Sequence, residues 1–283
     1  MNQKYLAKKI VLQKSLYYTE NTMKAIKEIA KKIIKFHPQS DVKPLQNLVH
    51  VGSEHHGYKV PDGFLNKDSV CYCIGAGEDI SFDTELKVLY DSKIFIFDPM
   101  PEGINYFIKL KEFVARGETF GVFDDENFMY RATAKQLDEI KYVNRGVWDE
   151  NTVLKFYAPK LDNYISHSVY LFQDSGEYIE APVDRLSNFM KEFNHKTVDL
   201  VKIEIEGAEY TVIDTIVKDK LDIKVICIEF DEVYHAKGLS HKMRIKKSCS
   251  QLLKAGYVLV HSTYMMKRTF VRKDVYELLK SKE

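Results

Sequence analysis

Two hydrophobic periodicities alternate along most of the chain. Short, nearly continuous apolar runs occur at Ser69-Val-Cys-Tyr-Cys-Ile74, at Lys93-Ile-Phe-Ile-Phe97 and at residues 142–147, 198–205 and 223–230, and read as buried strands. Between them, apolar residues recur every three or four positions. Phe82, Leu86, Leu89 and Tyr90 form one such face, and others run through 104–114, 183–193, 208–217 and 243–255, which predicts helices. Strand, glycine turn, helix and strand in that order make a βαβ unit, whose crossover is right-handed between parallel strands. The pattern predicts a doubly wound α/β fold with a mostly parallel seven-strand sheet. Residues 152–180, with polar-interrupted runs at 153–157 and 169–172, read as a hairpin insertion. Runs at 257–260 and 269–271 read as a C-terminal antiparallel hairpin. Upstream, Met23, Ile26, Ile29, Ala30, Ile33 and Ile34 recur at helical spacing among Lys24, Lys27, Lys31, Lys32 and Lys35, and the stretch ends near Pro38. Pro44, Gly52, Gly57, Pro61 and Gly63 then read as a linker into the body.

Composition changes this picture in one respect. With 283 residues, 45% apolar and 12% aromatic, the chain has ample material for a core, which excludes a disordered chain and a disulfide miniprotein. The net charge of +1 excludes a bulk preference for nucleic acid, yet it is a cancellation: residues 1–36 carry nine Lys against Glu20 and Glu28. The chain therefore reads as an N-terminal basic helical arm, 1–45, followed by a mildly acidic body, 46–283. The arm has two readings, a helix packed on the body with snorkelling lysines, or a peripheral contact with an anionic membrane or a partner. No window reaches the roughly 18–20 apolar residues of a membrane span, and Lys4, Lys8, Lys9 and Lys14 interrupt any signal sequence. Cys71, Cys73, Cys227 and Cys249 fit neither a disulfide framework nor a zinc pattern, so a reducing, cytoplasmic setting is expected.

In a doubly wound sheet, ligands bind beyond the carboxyl ends of the strands where strand order reverses. Gly75 and Gly77 follow the first strand of the body, and Asp98 ends the second, at the spacing of a carboxylate that grips the hydroxyls of an adenosine ribose. Nicotinamide cofactors and S-adenosylmethionine share this arrangement. A dinucleotide site needs a small residue where Ile80 stands, and Glu78 and Asp79 occupy the place of an anionic pyrophosphate; two carboxylates suit a cationic ligand better. A second block, Asp199-Leu-Val-Lys-Ile-Glu-Ile-Glu-Gly-Ala-Glu209, ends a strand in Glu204 and Glu206. At period two, Lys202, Glu204 and Glu206 share one strand face, where Lys202 holds Glu204 ionised.

These residues resemble the FkbM-type S-adenosylmethionine-dependent methyltransferases. The likeness rests on Gly75-Ala-Gly77-Glu-Asp-Ile-Ser-Phe82, Phe97-Asp-Pro-Met-Pro101, Asn144-Arg-Gly-Val-Trp-Asp149 and above all the 199–209 block, and covers about 49–273. The family signature there is Lys-x-Asp-x-Glu-Gly-x-Glu, with Glu204 standing here for the aspartate. The resemblance implies a Rossmann-like methyltransferase fold using S-adenosylmethionine. It places Gly75, Gly77 and Glu78 along the methionine half of the cofactor, Asp98 on the ribose, Asn144, Gly146 and Val147 near the adenine, and Glu204 and Glu206 near the reacting methyl. It further implies O-methylation of a sugar, glycan or glycosylated metabolite. The family tends to carry a histidine after the Glu-Phe pair of the next strand; here Asp231 follows Glu229-Phe230, and His235 lies four residues on. The candidate bases are Glu206, Glu204, Asp231 and His235, in that order. No metal is expected, since His55, His56, His167, His235 and His241 are scattered and no His-x-x-x-His or cysteine cluster occurs. Two other classes remain open, an NAD(P)-dependent oxidoreductase or epimerase and a non-catalytic binding module anchored by its arm.

Overall fold

The computed structural model describes residues 41–122, 125–158, 167–170, 176–231, 240–263 and 267–283. The basic helix expected before Pro38 lies outside these residues. Residues 41–45 belong to the body: the Lys43 amide donates to the Leu259 carbonyl at 2.8 Å and Leu45 is buried in the core.

The elements of the described residues begin with β1 (Leu48–Val51) and β2 (Tyr58–Pro61), then β3 (Val70–Ile74), α1 (Ser81–Tyr90), β4 (Lys93–Phe97) and α2 (Pro101–Ala115). A small hairpin, β5 (Gly121–Val122) and β6 (Asp125–Met129), precedes α3 (Ala134–Asp138) and β7 (Lys141–Val143). Next come β8 (Gly146–Trp148), β9 (Thr152–Tyr157), β10 (Tyr178–Arg185), α4 (Leu186–Glu192), β11 (Val198–Ile203) and α5 (Glu209–Lys218). The last part holds β12 (Ile223–Glu229), α6 (Ser240–Lys254), β13 (Tyr257–Ser262), β14 (Lys267–Arg272) and α7 (Lys273–Lys280).

The seven-strand sheet has the order β13-β14-β12-β11-β3-β4-β7. β7, β4, β3, β11 and β12 are parallel, whereas β14 runs antiparallel to β12 and β13 antiparallel to β14. The apolar runs are continuous because both faces are covered. On one face Cys71, Cys73, Ile94, Ile96, Leu200 and Cys227 meet the apolar sides of α1 and α2. On the other, Tyr72, Ile74, Val201, Ile203, Ile226 and Ile228 meet α4, α5 and α6. The four cysteines are free and buried in these layers.

Four local readings are corrected by tertiary pairing. The stretch read as a linker is the hairpin β1-β2, because Val51, Tyr58 and Val60 bury one face against α1 and β14. The helix expected from 183 starts at 186; Val183–Arg185 extend β10, which pairs with β8 in parallel and β9 antiparallel. The strand expected over 142–147 is broken where the Arg145 amide turns back onto the Val143 carbonyl at 2.7 Å, sending β8 out of the main sheet into the β8-β10-β9 sheet. Within 169–172, the described residues Val169 and Tyr170 are bends outside any strand; the insertion closes instead through an isolated bridge between Tyr157 and Ser168.

Strand order reverses between β3 and β11. One half of the chain builds outward through β4 and β7, the other through β12, and the crevice between their carboxyl ends is the place where this architecture receives a ligand.

Candidate active site

The turn after β3 sits in that crevice. The Gly75 amide donates to the Phe97 carbonyl at 2.9 Å, and the Glu204 amide donates to the Ile74 carbonyl at 3.0 Å, so the β3 end is tied to both neighbouring strand ends. Gly75 has φ +88°, and a Cβ there would lie 1.8 Å from the Glu204 carbonyl oxygen. Its role is to let the ends of β3 and β11 touch. Gly77, at φ +52°, has nothing within 4 Å of the position a Cβ would take, so its backbone faces open space. The two glycines therefore separate by experiment. Gly75→Ala is expected to cost about 3 kcal/mol or more in urea unfolding, and Gly77→Ala only about 1 kcal/mol. Equal losses would contradict this division.

Asp98 closes the same turn from the end of β4. Its Oδ2 accepts the Ala76 and Gly77 amides at 2.8 and 3.2 Å, and its Oδ1 accepts the Met100 amide at 2.8 Å. Burial pushes the carboxyl up, against these three amides and Lys202. A carboxylate offers about four acceptor directions, so one remains for a ligand hydroxyl. Beside it, Gly103 lets α2 approach: a Cβ there would lie 2.6 Å from Tyr142 Oη and 3.1 Å from Asp98 Oδ2. That buried Tyr142 hydroxyl has no hydrogen-bond partner among the described residues.

The neighbouring candidates divide by exposure. Glu78 and Asn144 are exposed at the rim. Asp79 is engaged in the fold, accepting the Ser81 amide and the Ser53 hydroxyl, both at 2.7 Å. Gly146 is packed between Val183 and Pro99, and Val147 is buried in the core.

At the end of β11, Lys202 is 2% exposed, and its Nζ donates to the Gly75 carbonyl at 2.7 Å. It lies 3.4 Å from Glu204 Oε2 and 3.7 Å from Asp83 Oδ2. The β1-β2 hairpin completes the group: Tyr58 Oη donates to Glu204 Oε2 at 3.1 Å, and His56 Nδ1 lies 3.1 Å from Glu204 Oε1. Burial opposes ionisation of Glu204, but Lys202, the His56 hydrogen bond and Lys267 overcome it and hold the carboxyl well below the usual range. Burial likewise opposes a charged His56, and Glu204 and Asp79 overcome it, lifting the imidazole to about 9. Glu206 does not share the strand face with these groups. β11 ends at Ile203, and Glu206 adopts φ 53° in the turn that follows, where its carbonyl accepts the Ser168 hydroxyl at 2.7 Å. Glu209 shapes that turn from below, its Oε1 accepting the amides of Ile205 and Gly207 at 3.0 and 3.1 Å.

The end of β12 brings a further carboxylate. Glu229 Oε2 lies 3.3 Å from Lys267 Nζ, which also donates to the carbonyls of His55 and Gly57. Burial and the Glu204 charge push Glu229 up to about 7, with Lys267 and His56 opposing. Asp231, one residue beyond Phe230, is buried and also pushed well up, by burial and by Glu209, Glu206, Glu229 and Glu204. Among the described residues Asp231 Oδ2 and Glu209 Oε2 are buried without a hydrogen-bond partner. His235 lies outside the described residues. Among the described residues no cluster of His, Cys, Asp and Glu has the arrangement of a metal site, and no helix is long and apolar enough to cross a membrane.

His56, Tyr58 and Glu229 were not among the site candidates read from the sequence. The first two stand in a stretch rich in turn residues, and Glu229 lies within the apolar run read as a strand over 223–230.

Solved structures with a related arrangement are distant. The METTL16 methyltransferase domain is 12% identical with a TM-score of 0.38, aligned over 72% of this chain and 60% of that one, so this chain spans about three fifths of its length. Precorrin-6y C5,15-methyltransferase from Geobacter metallireducens GS-15 is 16% identical, with a TM-score of 0.38 over 74% of this chain and 82% of that one. The fibrillarin pre-rRNA processing protein of Methanococcus jannaschii is 10% identical, with a TM-score of 0.38 over 74% and 68%. No curated protein matches the chain. The family profile of the methyltransferase FkbM domain matches residues 18–259, which takes in every strand of the crevice described above and most of the chain, and the protein belongs to that family.

Proposed function

We infer that this protein transfers a methyl group from S-adenosylmethionine to a hydroxyl of a sugar, glycan or glycosylated metabolite. The observation that carries the reading is the crevice itself. An open glycine backbone at Gly77 and a carboxylate at the end of β4 stand opposite strand ends crowded with Glu204, Glu229 and Asp231, where among the described residues Asp231 Oδ2 and the nearby Glu209 Oε2 lack hydrogen-bond partners. A ligand with a ribose at one end and a sulfonium and an ammonium group at the other fits that donor set. Asp98 and the Gly77 backbone would hold the nucleoside, and Glu204 would face the cationic end. When bound, S-adenosylmethionine supplies a methyl group already activated by its sulfonium.

The rest of the task falls to the chain's own residues, which align an acceptor hydroxyl and remove its proton. Glu204 is too acidic to take that proton efficiently at neutral pH and serves as a fixed negative charge. Glu229 is matched to the operating pH, so it joins the sequence-derived candidates as the preferred proton acceptor. A raised pKa means that Glu229 is protonated below about pH 7 and accepts a proton only above it. The expected kcat/KM profile therefore falls on the acid side of pH 7, and Glu229→Gln removes that limb; an unchanged limb would exclude Glu229. Cofactor identity is tested by calorimetric titration with S-adenosylhomocysteine and with NAD. Binding of the first alone supports methyl transfer, and binding of NAD alone would replace it with redox chemistry. Ile80, wholly buried where a dinucleotide turn needs a small residue, favours the first outcome. The free thiols suit a reducing cytoplasm.

A further inference from the structure

A cavity of about 550 Å³ opens between the β1-β2 hairpin, β6 and the β13-β14 pair. Its size is that of a small-molecule site. Tyr58 and Lys267 belong to its lining and are also the partners of Glu204 and Glu229, so one wall of the cavity is continuous with the carboxylate end of the crevice.

The wall's charges are unusual. His50 and Lys59 are directly opposed across the β1-β2 ladder, which sets their side chains on one face. The Thr269 hydroxyl donates to the Lys59 carbonyl at 2.6 Å, and Thr269 is paired with His261 across the β13-β14 ladder, which brings His261 into the same row. All three side chains line the cavity. Among the described residues none of the three has a carboxylate partner within ion-pair distance; the His50 ring meets the Ser53 carbonyl through Nε2 at 2.8 Å. Two carboxylates also line the cavity, and among the described residues neither forms an ion pair with the row. Asp125 is occupied by the amides of Glu54 and Asn127 at 2.9 and 3.1 Å, and Glu54 is exposed.

We propose that this cavity is the acceptor site and that the row His50, Lys59 and His261 binds an oxyanion of the acceptor, a phosphate or carboxylate group carried by the molecule whose hydroxyl is methylated. The part of this that concerns the acceptor rests on the methyl-transfer reading; the oxyanion site itself does not. Burial, with Lys59 and His50 nearby, holds the His261 imidazole below its ordinary value, which favours its neutral form. An anion seated on the row reverses the effect of Lys59 and His50 and favours the imidazolium. Anion binding should therefore take up a proton and tighten as pH falls. Glu54 from the loop, Asp125 from β6 and Lys267 from β14 are the other charges facing this space.

The test uses the full chain with ring-labelled histidine. Inorganic phosphate, acetate and chloride are titrated separately at constant ionic strength while the imidazole signals of His50 and His261 are followed by NMR. Phosphate or acetate should shift both signals saturably, bind at least about tenfold tighter than chloride, and raise the titration midpoint of His261. Preference for phosphate marks a phosphorylated acceptor, and preference for acetate a carboxylated one. Lys59→Met should abolish saturation, with His261→Gln as a second variant read through His50. Shifts that are equal for all three salts, or unchanged in Lys59→Met, overturn the oxyanion site. S-adenosylhomocysteine titrated into the same samples reports folding of the variants. Its failure to bind the wild type alongside intact phosphate binding overturns the methyl-transfer reading and the assignment to an acceptor. Its binding without an anion response overturns the oxyanion site alone.

Discussion

Glu204→Gln is expected to remove about 2–3 kcal/mol of folding stability and to lower methyl transfer at least about a hundredfold. The stability loss comes from Lys202, which is 2% exposed and would keep only Asp83 at 3.7 Å and the Gly75 carbonyl. Removing one member of a buried ion pair costs more than the pair contributes, because the other charge is left without compensation. A double variant, Glu204→Gln with Lys202→Met, should therefore regain part of the stability while remaining inactive. Equal or greater destabilisation of the double variant in urea unfolding would show that Asp83, rather than Glu204, is the partner that matters to Lys202. On the proposed function the activity loss has a separate origin, since the fixed negative charge that would face a cationic donor disappears while shape is preserved. The pH dependence of this contribution has a definite sign. Glu204 is held below its ordinary value, so its stabilisation is present above the unfolded-state pKa near 4.5 and is lost as the solution is acidified through the lower folded-state value.

Asp98→Asn is expected to weaken S-adenosylhomocysteine binding by about ten- to a hundredfold, the worth of a charge-assisted hydrogen bond or two to the ribose. The same change disturbs the acceptor set for the amides of Ala76, Gly77 and Met100, so a stability loss of about 1–2 kcal/mol should accompany it. Calorimetry well below the melting temperature separates the two effects. Unchanged affinity in a folded Asp98→Asn protein would exclude the ribose contact and leave Asp98 as a brace of the turn.

Several parts of this site were legible in the sequence because they depend on local order. The runs at 70–74, 93–97, 198–203 and 223–229 are buried on both faces, so their apolar character is continuous and their ends are visible. Once those strands are recognised, Gly75, Gly77, Asp98 and Glu204 fall at carboxyl ends by counting alone. The Lys202 to Glu204 contact was also legible, since residues two apart on a strand share a face. The same counting failed one step later at Glu206, because the ladder stops at Ile203 and a left-handed residue turns the chain.

What the sequence determined by itself was the α/β layering, the two halves of the sheet and the carboxylates at the crevice, since each follows from hydrophobic period and position along the chain. Only the tertiary structure decided how those carboxylates behave. His56 and Tyr58 reach Glu204 from a distance of almost 150 residues along the chain, and Lys267 meets Glu229 across an antiparallel pair. Glu204 and Glu229 are the same residue type at the ends of adjacent strands, yet one is held ionised and the other poised near neutrality. Charge state depends on burial and on partners within a few ångströms, and those partners are set by packing rather than by order in the chain.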